Sequence, residues 1–195
     1  MSSRLRTFGL AALALLAVLV LGACGSSHTR VTTGTYAGVG GANAPYLNVG
    51  PLVYQVQISR QLNPRDTEDA AYLEGLTPAQ LQLLPGQEWF AVFLQVYNHT
   101  SRSLPAATNL TITDTQNNTY TPIVPNQTNP FAYRAGFVQA GGQLPVPQSV
   151  PSFGPTQGAL VLYKLQVASL DNRPFEFKIV DPTNPSLTAS AELDV

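Results

Sequence analysis

Residues 88–97, EWFAVFLQVY, carry apolar side chains on both faces of an extended chain. Successive side chains of a strand point to opposite faces, so every second residue shares a face. One face of this run holds Phe90, Val92, Leu94 and Val96, and the other holds Trp89, Ala91, Phe93 and Tyr97. A strand that is apolar on both faces lies centrally in a sheet and is covered on each side. The fold must therefore provide a packing layer on both sides of this segment.

Shorter runs with alternating apolar residues predict further strands before and after this segment. The first, residues 51–59, places Leu52, Tyr54, Val56 and Ile58 on one face. The others are residues 109–115, 120–124, 159–167, 175–181 and 187–195, with polar turn clusters between them. This pattern predicts an all-β fold, an antiparallel immunoglobulin-like β-sandwich of about seven or eight strands. The antibody-type arrangement of two cysteines around a tryptophan is absent, because the chain has a single cysteine.

One short helical insert is predicted at residues 77–84. Thr77 is a suitable N-cap, and Pro78 fits the first helical position, where no backbone N–H is needed. A Pro-Gly pair ends the segment. The spacing of Leu81 and Leu84 predicts that both side chains face the core.

An acidic stretch lies between the first strand and this helix. Residues 66–74 contain Asp66, Glu68, Asp69 and Glu74. Clustered carboxylates suggest a calcium site, since calcium prefers oxygen ligands. The spacing does not match an EF-hand loop, and we expect a solvated acidic loop instead.

Residues 125–157 contain six prolines and a Gly-Gly pair, which excludes a central strand. Long connections of this kind often carry binding function. Phe131, Tyr133, Arg134 and Phe137 form a candidate interaction patch within it, because aromatic residues and arginine dominate binding hot spots. The alternative is that Phe131 and Phe137 fold back over one end of the sandwich as a lid.

The N-terminal segment has the three parts of an export signal. Arg4 and Arg6 give a positive region, residues 8–20 are almost continuously apolar, and residues 21–23 supply small side chains before Cys24. The 16 residues from 8 to 23 are fewer than the roughly 18 to 20 that a membrane-spanning helix needs. Leu-Gly-Ala-Cys resembles the lipobox of bacterial lipoprotein signal peptides. A plain secretory signal is the alternative, although it would leave an exposed thiol.

The lipobox resemblance implies that residues 1–23 are removed and that Cys24 becomes the first residue, carrying acyl chains such as palmitate. Residues 24–46 are then a lipidated cysteine followed by a flexible linker that lets the domain stand off the membrane, and residues 47–195 are the sandwich domain. We expect the protein at the cell membrane, lipid-anchored on the extracytoplasmic face.

Without residues 1–23 the chain has eight basic and 11 acidic residues, a formal charge of −3, so we expect no nucleic-acid partner.

Several motifs in the second half carry a resemblance to a known family. Asp114 to Tyr120, DTQNNTY, forms a turn between strands, Gly158 leads a later strand, and Phe175 and Phe177 lie in the next one. This order is similar to that of secreted bacterial immunoglobulin-like domains of unknown function. The family has no known catalytic residues, so the resemblance assigns none here.

The titratable residues do not indicate an enzyme. The two histidines, His28 and His99, are far apart in the sequence, and Cys24 is assigned to the lipid, so no metal site of His and Cys is expected. We therefore expect no catalytic residues and no cofactor. The predicted function is a non-enzymatic interaction or structural module that contacts an envelope protein or polymer. A small-ligand-binding domain is the alternative, and a hydrolase with a carboxylate pair is a further one.

Overall fold

The computed structural model describes residues 46–153 and 156–193, and the backbone of residues 28–33. The predicted signal peptide, Cys24 and linker residues 34–45 lie outside the described residues.

The described residues form strands and two short α-helices. The strands are β1 (His28–Thr33), β2 (Tyr46–Val49), β3 (Leu52–Leu62), β4 (Gln87–Tyr97), β5 (Leu104–Pro105), β6 (Asn109–Thr113), β7 (Thr119–Tyr120), β8 (Phe137–Val138), β9 (Gln143–Leu144), β10 (Ala159–Gln166), β11 (Phe175–Val180) and β12 (Thr188–Leu193). The helices are α1 (Thr67–Tyr72) and α2 (Pro78–Leu81), and short 3₁₀ turns span Val150–Ser152 and Val167–Asp171.

Two sheets pack face to face around the main core. The first has the order β1-β12-β11-β6-β7, and the second has the order β10-β4-β3-β2 with β9 also paired to β4. Strands β5 and β8 form a separate small pair. The ladders between these strands are antiparallel except that of β1 and β12, which is parallel. Within the described residues, eight strands have four residues or more. The predicted antiparallel β-sandwich is confirmed.

Strand β4 is the central strand that its sequence predicts, with β3 on one side and β10 on the other. Phe90, Val92 and Leu94 point between the sheets, where the ring of Phe90 meets that of Phe175 edge to face at 5.8 Å. Trp89, Ala91 and Phe93 lie in a second apolar cluster on the other face of the sheet. Burying a large apolar side chain contributes about 1.5–3 kcal/mol, so both faces of β4 stabilise the fold.

Helix α1 corrects the prediction for the acidic stretch, which is not a loop. The Asp66 side chain caps the helix by accepting hydrogen bonds from the amides of Glu68 and Asp69, at 2.9 and 3.2 Å. The ring of Tyr72 then packs edge-on against Phe93 at 5.0 Å. Asp66, Glu68 and Asp69 thus form the N-cap and first turn of α1, where carboxylates are favoured, whereas Glu74 lies beyond its C-cap. The helix covers the outer face of the central strand.

Helix α2 begins as predicted, with a capping box between Thr77 and Gln80. The prediction that its leucines face inward is wrong, because Leu81 is 45% exposed and Leu84 is 65% exposed. The helix has four residues and ends at Leu81, so Leu84 is not on a helical face. The structure therefore has two short helices where the sequence predicts one.

A β-bulge in β3 changes the face of one predicted core residue. Leu52, Tyr54 and Val56 point into the main core, as their alternation predicts. The register with β4 shifts between Val56 and Ile58, so Ile58 lies in the second cluster, on the opposite face. A bulge inserts one extra residue and inverts the alternation that follows it.

Strand β1 lies within the segment predicted as a linker. His28–Thr33 pairs in parallel with β12, and the register places His28 opposite Thr188 and Thr33 opposite Leu193. Its sequence, HTRVTT, is rich in the β-branched residues that strands favour.

Candidate functional site

Two residues of the predicted interaction patch belong to the apolar interior. Tyr133 is 8% exposed, and its hydroxyl donates a hydrogen bond to the carbonyl oxygen of Ala107 at 2.9 Å. The ring of Phe131 packs edge to face against Tyr72 at 4.9 Å. The backbone of this segment pairs with the outer edge of β10, since Leu160 accepts from the Tyr133 amide at 2.7 Å. Phe131 therefore covers the second cluster, and Tyr133 closes the edge of the main core.

The other two residues of the patch lie apart from each other. The half-buried Arg134 donates to the carbonyl oxygens of Pro125, at 3.0 Å, and of Asn126, which ties two parts of the long connection together. Phe137 is 67% exposed and lies in β8, opposite Pro105. The four residues thus do not form one exposed patch, and Phe137 alone among them is a large exposed apolar side chain.

The long connection exposes other apolar residues that the sequence-based patch omits. Val146, Val150 and Phe153 are 60%, 54% and 71% exposed. Prolines at 145, 147 and 151 flank them. Proline keeps this backbone out of a sheet ladder, so these apolar side chains have no strand face on which to be buried. The density of prolines beside large apolar residues is a sequence signal by which they could have been found.

A cavity of about 270 Å³ lies beneath the same connection. It is bounded by β6, by the edge of β10 and by the backbone on either side of Tyr133. Its lining is mostly apolar: Leu110, Pro122, Ile123, Val124, Pro125, Tyr133, Ala135, Leu160, Val161 and Leu162, with Thr108 and Arg134 supplying polar atoms. Two backbone hydrogen bonds to β10 lie beside the cavity. The Ile123 amide donates to the Leu162 carbonyl and the Tyr133 amide to the Leu160 carbonyl, each at 2.7 Å. The cavity has the chemistry of a site for a small, mainly apolar molecule.

Three buried tyrosines hold the chain segment beside this cavity. The hydroxyl of Tyr54 accepts from the Ala107 amide at 2.8 Å, and that of Tyr163 donates to the Leu110 carbonyl at 3.3 Å. Burial raises the pKa of Tyr54 to about 12, although the Ala107 amide opposes the shift. Burial also raises the pKa of Tyr133 and of Tyr163 well above 10. These hydroxyls stay protonated near neutral pH and act as structural hydrogen-bonding groups.

Three of the four carboxylates considered as calcium ligands, those of Asp66, Glu68 and Asp69, have other partners. Asp69 is buried, pairs with Arg60 at 2.5 Å and accepts from the Asn63 amide at 2.7 Å. Glu68 accepts from the Tyr72 hydroxyl at 2.8 Å. Over residues 46–153 and 156–193, no three side chains of His, Cys, Asp or Glu are placed to hold a metal ion.

The histidine in the turn after β4 has an aromatic neighbour. The ring of His99 stacks on Tyr97 with an interplanar angle of 6° and a centroid distance of 5.9 Å. This contact gives His99 a packing role at the surface of the turn.

Asp114 organises the turn that carries the family resemblance. Its carboxylate accepts from the amides of Gln116 and Asn118, both at 2.9 Å, and from the Asn118 side chain at 2.8 Å. Burial alone would raise the pKa of Asp114, but hydrogen bonds from Asn118, Ser169 and the two amides outweigh it and lower the pKa below 3.8. Asp114 is therefore a turn-forming residue.

No helix in the described part of the chain is long and apolar enough to cross a membrane.

No family model and no curated protein sequence matches this chain. Its fold is similar to that of the yjhA protein from Bacillus subtilis, with a TM-score of 0.50 and 9% sequence identity over 77% of this chain and 97% of that chain. Two further structures have TM-scores of 0.45 and 0.43. They are the "putative lipoprotein" ycdA from Bacillus subtilis subsp. subtilis str. 168, at 7% identity over 76% of this chain and 38% of that chain, and an uncharacterized beta-sandwich protein from Clostridium difficile 630, at 9% identity over 84% and 95%. At these identities the likeness is one of fold.

Proposed function

We propose that this protein is a cell-envelope lipoprotein, anchored through acyl chains on Cys24, whose β-sandwich is a non-enzymatic interaction or structural module on the extracytoplasmic face of the membrane. The observation that carries the proposal is the Leu-Gly-Ala-Cys motif behind a positively charged and then apolar N-terminal segment. An extracytoplasmic location agrees with a chain whose single cysteine precedes the folded domain.

The non-enzymatic part of the proposal rests on the roles of the titratable groups. Asp66 caps α1, Asp69 pairs with Arg60, and Asp114 forms a turn. These carboxylates are engaged with groups of their own neighbourhood, whereas catalytic carboxylates are directed into a cleft that a substrate can enter. Shape and apolar contact are then the properties through which the sandwich acts.

Metabolic labelling with an alkyne fatty acid tests the anchor. The full-length chain is expressed in a bacterium, and the label and the protein are followed in membrane and soluble fractions. We expect labelled protein in the membrane fraction, and unlabelled protein with a retained N-terminal segment for Cys24→Ala. Equal labelling of both proteins, or a soluble, unlabelled protein beginning after residue 23, would overturn the proposal.

The cavity favours a second function, the binding of a small apolar molecule. Its volume is close to the lower end of the range for ligand pockets, about 300–1,000 Å³, and it lies next to the half-buried guanidinium of Arg134. An apolar body with one anionic group would match this lining. The exposed Thr108 lies on the wall of the cavity, so a larger side chain there would fill it from the solvent side.

Anilinonaphthalene sulfonate, an apolar dye with one sulfonate, is a suitable probe for that function. We expect saturable fluorescence enhancement with the native chain and its loss in Thr108→Trp. Leu84→Trp, at another exposed position, is the matched control and leaves dye binding unchanged. Dye binding that survives Thr108→Trp would exclude the cavity as the site.

A further inference from the structure

The distance from Cys24 to the folded sandwich is set by very few residues. Residues 25–27 separate Cys24 from β1, which begins at His28. Four residue steps of extended chain span at most about 14 Å. An acylated Cys24 lies at the membrane surface, so the start of β1 is held within this distance of it.

The strand register identifies the end of the sandwich that is held there. His28 pairs with Thr188, Thr188 with Val180, and Val180 with Asn109. The start of β1 therefore lies at the end of the first sheet that carries the turn of residues 181–187.

The second sheet has its own turns at this same end. A β-carbon on Gly50 would lie 1.9 Å from Oδ2 of Asp181, so the turn between β2 and β3 touches the turn after β11. Tyr97, the last residue of β4, pairs with Val53 near the start of β3. The turn that follows β4 therefore lies at the same end of the sandwich as the turn between β2 and β3. We call residues 49–52, 98–103 and 181–187 the anchor end.

The proline-rich connection leaves and rejoins the second sheet near the anchor end, and it carries exposed apolar residues. It leaves the sheet where Leu144 pairs with Val96 and returns where Ala159 pairs with Leu94, and both partners lie in the last four residues of β4. Val146, Val150 and Phe153 are exposed on the connection between these points, and Phe137 is exposed opposite Pro105, which follows the turn after β4.

The anchor end and the connection beside it carry few charged side chains. The anchor end contains one carboxylate, Asp181, which is buried at 4% exposure, and one exposed arginine, Arg102. Between Asp114 and Asp171 the sequence has no acidic residue, so the connection with its apolar side chains has none either. An anionic lipid surface repels carboxylates and attracts arginine, and apolar side chains partition into its interface.

We infer that the anchor end and the proline-rich connection beside it form one membrane-contacting surface. In this orientation Arg102 of the anchor end and the exposed apolar residues of the connection lie against the interface of an anionic bilayer; these apolar residues are Phe137, Val146, Val150 and Phe153. The inference rests on the proposed acylation of Cys24 and goes beyond it, because it assigns an orientation to the sandwich. The turn at Asp114 then faces away from the membrane. It lies about 17 Å beyond the start of β1, since a strand of six residues covers five steps of about 3.3 Å.

Site-specific fluorescence in vesicles tests this orientation. Cys24 is the only cysteine, and its thiol is consumed by acylation, so one new cysteine can be labelled alone. Ser101→Cys places the label at the anchor end, and Gln116→Cys places it in the opposite turn; both positions are exposed. The lipidated full-length protein is reconstituted into vesicles of phosphatidylethanolamine and phosphatidylglycerol that contain a headgroup quencher. We expect quenching several-fold stronger at residue 101 than at residue 116.

Two further variants separate the contact from the tether. Phe153→Glu puts a carboxylate among the exposed apolar residues of the connection and is expected to reduce quenching at residue 101. Leu84→Glu is the matched control, because Leu84 is similarly exposed but lies beside the start of β4, and it leaves the quenching unchanged. Inserting ten Gly and Ser residues after residue 27 is expected to weaken the difference between the two labels.

The possible failures are distinguishable. A protein without acyl mass that does not float with vesicles overturns the anchor and the orientation together. An acylated protein that floats but is quenched equally at both positions overturns the orientation alone. Equal quenching is the result expected if the exposed apolar residues bind an envelope protein instead of lipid. Equal effects of Phe153→Glu and Leu84→Glu would also overturn it.

Discussion

Gly158 is the position where the packing of the central strand can be tested with one methyl group. It precedes β10 and has a φ of +115°, a region that residues with a side chain rarely adopt. A β-carbon there would lie 2.9 Å from the backbone nitrogen of Leu94 and 3.0 Å from the carbonyl carbon of Phe93. Both atoms belong to the backbone of β4, which neighbouring strands hold on either side.

Gly158→Ala therefore combines two costs. Holding a residue with a side chain in this backbone region costs about 1–3 kcal/mol. Forcing a methyl group against packed backbone costs a further 1–3 kcal/mol or so. We expect the free energy of unfolding to fall by about 4 kcal/mol, which for a domain of this size lowers Tm by roughly 8–16 °C.

Urea denaturation followed by tryptophan fluorescence measures this change. Trp89 is the only tryptophan and is 2% exposed, so it reports the loss of the second cluster. Gly141→Ala is the control, because Gly141 also has a positive φ, +64°, but a β-carbon there would meet nothing within 4 Å. It should cost about 1 kcal/mol, with the slope m unchanged in both variants. If Gly158→Ala were no more destabilising than Gly141→Ala, the close approach of Gly158 to β4 would be refuted.

Three other substitutions test individual contacts. Asp69→Asn leaves the partly exposed Arg60 without its carboxylate, and we expect a loss of about 2 kcal/mol in urea denaturation, below the 3–5 kcal/mol of a fully buried pair. Tyr133→Phe leaves the Ala107 carbonyl without its donor and is expected to cost about 1–2 kcal/mol; an unchanged midpoint would contradict the buried hydrogen bond. The pKa of Asp114 is lowered below 3.8, because hydrogen bonds outweigh the effect of burial, so its ionised form stabilises the fold above pH 3.8 and this contribution is lost as the pH falls through the folded pKa. In a pH series of denaturation midpoints, Asp114→Asn should therefore be less stable than the native chain at neutral pH, and the two should converge in acid.

The sequence predicts the central strand and the sandwich well, because those features depend on periodicity over many residues. Residues 88–97 are predicted as a central strand buried on both faces. Strand β4, Gln87–Tyr97, lies between β10 and β3 as predicted. The bulge in β3 shows the limit of this method. Gln57, at the bulge, is buried and donates to the side-chain oxygens of Gln55 and Gln95 at 2.8 and 3.2 Å. The alternation of apolar residues in the sequence does not predict this buried amide network.

The candidate patch was harder to predict because burial of an aromatic residue in a loop depends on distant partners. Tyr133 is buried because its hydroxyl meets the Ala107 carbonyl, 26 residues earlier in the chain. Nothing in the local sequence distinguishes it from Phe137, which is exposed. The acidic stretch is different, since Asp66 followed by Glu68 and Asp69 is a recognisable helix start that the calcium and loop interpretations overlooked.

The pairing of β1 with β12 decides how an anchored sandwich relates to its membrane. A chain that is flexible from residue 25 to 45 would have a root-mean-square length of about 25 Å, which is enough to hold the domain clear of the lipid. With His28–Thr33 in the sheet, residues 25–27 span at most about 14 Å with their flanking bonds. The parallel ladder therefore leaves only a short tether between Cys24 and the sandwich. The end of the sandwich at which the tether joins has no exposed carboxylate, and the connection with exposed apolar residues rejoins the second sheet near it. If Cys24 is acylated as proposed, the same six residues that the sequence assigns to a linker set which surface of the sandwich lies nearest the bilayer.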